Sequence, residues 1–204
     1  MADTFATLKT ELAARGYDYL GNTRQGRFIN RGYSMLNDEY TWAYLETEVT
    51  AQTAPVTISD LDQILYVADA TTGTELYGDD QRTISIADPG RANTGSATSW
   101  NIKGGTVLNV YPADTSASLT IRYIQVPDEL SADTDEPLTP QRYRNLITDA
   151  AVYLALKDND EFDSALSAKT LWDYEVLKMY SRLSGQNSQN PDSIVSTSTY
   201  PYPY

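Results

Sequence analysis

The chain contains no cysteine and no histidine. Without cysteine there are no disulfides, thiolate metal ligands or thiol nucleophiles, and the redox compartment stays open. Without histidine there is no imidazole ligand, no Ser-His-Asp or Cys-His arrangement, and none of the side chain most used for proton transfer near neutral pH. Bases are scarce as well: 15 lysines and arginines face 28 aspartates and glutamates, a net charge of −13. The bulk field therefore opposes binding to nucleic acid or to an anionic membrane. No run approaches the roughly 20 apolar residues of a membrane span, and the opening MADTFATLKTELAARG has no apolar signal core. The expectation is a protein of cytosolic origin with no membrane partner.

What remains is ordinary in bulk and biased in detail. A chain of 204 residues is long enough to bury roughly 70% of the surface its unfolded form exposes. Hydrophobic residues make up 41% and charged residues 21%, but there are 16 tyrosines against 3 phenylalanines. Tyrosine combines apolar area with a hydroxyl, which suits surfaces buried against partners.

The longest helical period in the first half, TRQGRFINRGYSMLNDEYTWAYLE, predicts a helix over 23–46. Ile29, Gly32, Tyr33, Leu36, Tyr40, Ala43 and Tyr44 recur at spacings of three and four and form its core face. Arg24, Arg27, Arg31, Asp38 and Trp42 share the opposite side, a basic and aromatic stripe on an acidic protein. A shorter helix is expected over 3–15, with Asp3 or Thr4 as cap, Phe5, Leu8 and Leu12 as stripe and Gly16 as stop.

Between about Glu48 and Val126 the period changes to short β-favouring runs: APVTIS, QILYVADA, RTISIAD, GTVLNVYP and SLTIRYIQV. Turn residues such as Asp88-Pro89-Gly90 and Gly104-Gly105 separate them. A third helix is expected from Thr139 as N-cap and Pro140 as first residue, with Tyr143, Leu146, Ile147, Ala150, Ala151 and Leu154 on its apolar face. A fourth runs from about Glu161 to Leu183, burying Phe162, Ala165, Trp172, Val176, Met179, Tyr180 and Leu183, with Gly185 to end it. The remainder, QNSQNPDSIVSTSTYPYPY, cannot bury enough apolar surface alone to offset its ordering entropy. Its alternation of tyrosine and proline favours an extended form that presses rings into a partner.

The fold class is thus α+β, a four-helix bundle with a β-sandwich or barrel-like insertion between helices two and three and an extended C-terminal tail. The divisions are 1–47 for the first two helices, 48–126 for the β-rich insertion, 127–184 for the last two helices and 185–204 for the tail.

Catalysis would have to rest on carboxylates, lysine or hydroxyls. Asp60/Asp62, Asp79/Asp80, Asp133/Asp135/Glu136 and Asp158/Asp160/Glu161 are sequence neighbours in turns, where solvated acids and caps are the ordinary reading. None matches a calcium loop, since Asp158, Asp160 and Phe162 fail at the third ligand. The glycines sit between strands, as hairpin turns do, and no phosphate-binding GxxxxGK[ST] occurs. Arg24, Arg27 and Arg31 could touch DNA phosphates; pairing with acids of the same chain or of an adjacent copy is the favoured alternative. Trp42 and Trp172 read first as packing residues, with interface anchoring as the second reading. No catalytic, cofactor or metal residue is assigned.

Three stretches in this order, INRGYSMLNDEYTWAYLE, SWNIKGGTVLNVYPADTSASLTIRYIQVPDELSADTDEP and LTPQRYRNLITDAAVYLAL, resemble the head-tail connector adaptor proteins of tailed bacteriophages. The match rests on Trp42, Tyr44, Leu45 and Glu46, on Pro127 and Leu130 leading to Asp135, Glu136 and Pro137, and on Pro140, Tyr143, Leu146 and Ile147. It departs from the usual pattern at Ala43, where a proline often follows the tryptophan.

The resemblance implies a non-enzymatic virion protein: a dodecameric ring beneath the portal that extends the channel for double-stranded DNA and meets the next neck or tail protein. Assembly would take place in the host cytoplasm. In such a ring Arg24, Arg27, Arg31 and Trp42 become a candidate subunit interface, and Ile194, Val195, Tyr200, Tyr202 and Tyr204 a docking tail for the portal or an adjacent subunit. Two rivals follow from the residues alone: a carbohydrate-binding or host-recognition β module using Trp100, Tyr66 and Tyr111, and a carboxylate-based hydrolase.

Overall fold

The computed structural model describes residues 3–90, 92–114 and 117–187. In chain order the elements are α1 (Phe5–Leu12), α2 (Gly21–Asp38), β1 (Glu46–Thr53), β2 (Val56–Thr57), β3 (Leu61–Asp69), β4 (Thr74–Glu75), β5 (Tyr77–Gly78), α3 (Gln81–Ala87), β6 (Ser99–Lys103), β7 (Val107–Tyr111), β8 (Ser118–Gln125), α4 (Asn145–Asp158) and α5 (Phe162–Asn187). Among the described residues the architecture is mixed α plus β, with two sheets and five α-helices, of which α2, α4 and α5 are long and α1 and α3 are short, at eight and seven residues. The chain divides into two compact units, one formed by the residues up to Tyr40 and from Leu130 onward, the other by Thr41–Glu129.

In the helical unit, Thr4 caps α1 as expected, its side chain accepting from the Thr7 backbone N–H. The helix gives way at Ala13 to a wider turn broken by Gly16, whose φ of 96° only glycine adopts without strain. Helix α4 packs against α1, α2 and α5. Its contact with α2 is close at Gly32, where an added Cβ would lie 2.7 Å from the Ile147 carbonyl oxygen and 3.1 Å from Ala150 Cβ. The face formed by Ile29, Tyr33 and Leu36 is buried, as the helical period requires.

The start of α4 differs from expectation. Thr139 does not cap it: a 3-10 turn over Gln141–Tyr143 comes first. Thr139 Oγ1 and Tyr143 Oη are buried with no hydrogen-bond partner among the described residues. The turn is held by Arg144, whose guanidinium donates to the carbonyls of Thr139, Pro137 and Asp3 and to Glu136. A charged fork serving three carbonyls outweighs a single hydroxyl cap. Helix α5 continues through Gly185 to Asn187 rather than ending there.

In the β unit the sheet orders are β1-β8-β3-β4 and β2-β7-β6-β5. Among the described residues these strands pair antiparallel except β5 with β6. Both sheets contribute to one apolar cluster, with Val67, Leu119, Ile121 and Tyr123 from the first and Val56, Leu108 and Val110 from the second. In β8 the buried Leu119, Ile121 and Tyr123 alternate, and Ile124 is buried as well, which explains the imperfect alternation in the sequence.

RTISIA is the helix α3 and not a strand, because Asp80 Oδ1 accepts from the Arg82 N–H and caps it. Ile84 alone of its isoleucines is buried, Ile86 being 72% exposed. Conversely Glu46–Thr53 is a strand, where the helical period predicts helix as far as residue 46. Both of its faces are largely polar, and Arg122 on the neighbouring β8 pairs with Glu46 and Glu48.

Candidate functional site

Helix α2 buries Gln25, Phe28, Ile29, Tyr33, Leu36 and Asn37 along one side. The residues between them, Arg24, Arg27, Arg31, Ser34 and Asp38, therefore point to solvent. Arg24 makes an ion pair with Asp158. Arg27 and Arg31 take part in no ion pair among the described residues. Beside them, at the start of α2, a shallow cleft of about 400 Å³ is lined by Leu20, Gly21, Asn22, Thr23, Arg24 and Arg27.

Trp42 does not belong to this stripe. The helix ends at Asp38, and Trp42 lies beyond it in extended backbone, 1% exposed and stacked on Tyr44 with ring centroids 5.6 Å apart. Two physical causes cut the helix short of its period. Asp38 and Glu39 place negative charge at the helix C-terminus, where it is unfavourable. Tyr40 stacks on Tyr180 at 4.3 Å rather than continuing the turn.

The outward side of α5 is a feature the periodicity did not separate. Phe162 is 62% exposed, Leu166 69%, Tyr174 62% and Leu177 51%, while Ala165, Trp172, Val176 and Met179 are buried on the other side. Phe162 and Tyr180 were expected in the core; the first is exposed, and the second is the stacking partner of Tyr40 at the edge of the buried face. The signal was present as a surplus: α5 carries more large apolar residues than one helical stripe holds.

The acids are mostly engaged in local structure. Asp135 accepts from the backbone N–H groups of Ser131 and Ala132, both at 2.7 Å, and these hold its carboxyl below the usual range. Asp69 is lowered in the same way by the Thr71 N–H. Asp133 pairs with Lys9 at 2.6 Å. Burial, with the charge of Asp60 added, raises the Tyr123 hydroxyl, which donates to that carboxylate. Among the described residues no group of three or more acids is placed to hold a metal ion.

Of the aromatic residues considered for sugar stacking, Tyr66 stands on β3 of the first sheet, and Trp100 and Tyr111 on β6 and β7 of the second. The Trp100 indole donates to the Leu76 carbonyl at 3.1 Å and its ring covers Gly78. The Tyr111 hydroxyl accepts from Asn93 at 2.9 Å. The three do not form one platform. Ile194, Val195, Tyr200, Tyr202 and Tyr204 lie outside the described residues.

Of the stretches that carry the adaptor resemblance, the part from Leu130 to Ile147 brings the chain back into the helical unit. Asp135 shapes the turn, Glu136 and Pro137 receive Arg144, and Tyr143, Leu146 and Ile147 are buried at the head of α4. A family model covering nearly the whole chain places this α plus β protein in the class of bacteriophage structural adaptors. The model of the SU10 adaptor protein family matches residues 3–194, and the chain belongs to that family. Among curated proteins no match to the chain is found.

Proposed function

We propose that the protein is a head-to-tail adaptor that assembles as a dodecameric ring beneath the portal, extends the DNA channel and presents a surface to the next neck or tail protein. The observation that carries this reading is the family match across nearly the whole chain. In it α1, α2, α4 and α5 act as one bundle and form the ring body. The β-rich section, inserted between the second and third of them, contacts neighbours or the next component, and residues 188–204 dock on the portal or on an adjacent copy. The role is structural, in the virion, with no catalytic step.

The charge supports a conduit. A lumen lined by acids repels the phosphate backbone and lets DNA slide, whereas a basic lining adds salt-dependent grip. More acids than arginines are therefore expected to face the channel.

Electron micrographs of the purified chain, alone and with portal protein, test the reading through particle mass and symmetry. Closed rings that sit coaxially on the portal are the expected result, and a monomer that ignores the portal would overturn it. A continuous basic lumen in a reconstructed ring would remove the sliding argument. Ending the chain after Asn187 tests the tail separately: attachment to the portal or to the neighbouring copy should weaken, and unchanged affinity would assign the docking elsewhere.

A further inference from the structure

We propose that the outward face of α5 in one copy seats on the arginine-bearing face of α2 in the next copy. This rests on the ring reading and says which surfaces form its seam.

Phe162, Leu166, Tyr174 and Leu177 lie within about a third of a turn of one another along α5 at 100° per residue. Together they expose on the order of 400 Å² of apolar surface, the size of the largest patch on a typical monomer. Such a patch along one helix is the shape that receives another helix. The occupant is a second copy because the charges complement each other. Glu161 and Asp163 flank the start of the patch, both exposed and in no ion pair among the described residues. Arg27 and Arg31, one turn apart on α2, are in the same condition. Their aliphatic stems can lie on the apolar patch, and their guanidinium groups can reach the acids or stack on Phe162 and Tyr174.

The two faces also stand where a ring needs them. Helices α2 and α5 both pack on α4, and each turns the side away from its buried stripe to solvent. They are chemically different surfaces, so one copy's α5 can bind the next copy's α2 while its own α2 remains open. A contact of this heterologous kind propagates and closes into a ring if the rotation allows, whereas a self-complementary patch stops at a dimer.

The absence of cysteine makes the test clean. Arg31→Cys and Leu166→Cys are made as separate full-length chains, mixed and oxidised, and each is also oxidised alone. Both positions are exposed, so melting curves of the variants should match the parent. The expected result is a covalent dimer in the mixture at about tenfold the yield of either chain alone, reduced again when Glu161 and Asp163 are changed to lysine. A Leu166→Cys dimer forming alone would mean that two α5 faces pair with each other, and overturns the proposal. A Leu166→Cys product with a Tyr202→Cys chain but not with Arg31→Cys would give the face to residues 188–204, and overturns it too. Closed rings seen in micrographs without the mixed product would overturn the seam and leave the ring. No ring and no product would overturn both.

Discussion

Gly32 is where α2 and α4 come closest, and there two effects oppose each other. Alanine is worth about 1 kcal/mol over glycine inside a helix. At Gly32 its Cβ would meet backbone atoms, the Ile147 oxygen at 2.7 Å and the Ala151 nitrogen at 3.1 Å. Neither can swing aside, and overpacking of this kind costs about 1–3 kcal/mol. Gly32→Ala should therefore destabilise by about 1 kcal/mol net. Gly185→Ala, at a site with nothing within 4 Å of the new Cβ, should stabilise by up to about 1 kcal/mol. Denaturant titration of the pair measures both signs, and equal signs would remove the close-approach argument. Asp135 belongs to the same scale. Its carboxyl is lowered by the Ser131 and Ala132 N–H groups, so the unfolded chain binds its proton more readily than the folded one. Its contribution is complete above the ordinary carboxylate pKa and is lost as pH falls through the lowered folded value. Asp135→Asn should flatten that part of the stability profile, and unfolding midpoints taken from neutral pH to acid would show it.

Helix α5 shows why element-level reading succeeds and fails. Its existence, and the burial of Ala165, Trp172, Val176 and Met179, followed from spacing alone. The outward Phe162, Leu166, Tyr174 and Leu177 carry the same apolar signal, and a single chain's sequence does not say which of two apolar sides meets its own core. Substitution separates them. Val176→Ala or Met179→Ala should cost about 2–5 kcal/mol, whereas Leu166→Ser with Leu177→Ser should stay near ±0.5 kcal/mol per site in the dissociated chain. Thermal melts of dilute protein give the comparison, and equal losses on both sides would mean that the outer face is core. Other elements were legible to the extent that their causes were local. The buried side of α2 was, because Ile29, Tyr33 and Leu36 recur at helical spacing. The end of α2 was not, since Tyr40 is drawn to Tyr180, 140 residues further on. The start of α4 was not, since Arg144 answers to Asp3, Pro137 and Glu136. In α3 the Ile84/Ile86 alternation imitated a strand, and the cap at Asp80 decided for helix. Of the candidate interface, the exposure of Arg24, Arg27 and Arg31 was readable from the period. Trp42 was misplaced with the helix end.

At the scale of the whole molecule, the proposed ring sets two electrostatic effects against each other. Each copy carries a net charge of −13, so bringing copies into a ring concentrates like charge, and that repulsion is long-ranged. The proposed seam adds attraction between Arg27, Arg31 and the acids of the next copy, but exposed pairs of this kind are worth only about 0–1 kcal/mol each. Raising sodium chloride from about 0.1 M to about 1 M shortens the Debye length from about 10 Å to about 3 Å. Both effects weaken, the repulsion summed over many charges more than the few pairs, while burial of the α5 patch is retained. The assembled fraction should therefore rise with salt, as followed by sedimentation or mass photometry at fixed protein concentration. Replacing Arg27 and Arg31 by alanine should lower the assembled fraction at every salt level and make its rise steeper, because the opposing contribution is gone. If salt instead dissolves the parent assembly, the arginine pairs outweigh the net charge, and the apolar face of α5 is not what holds neighbouring copies together.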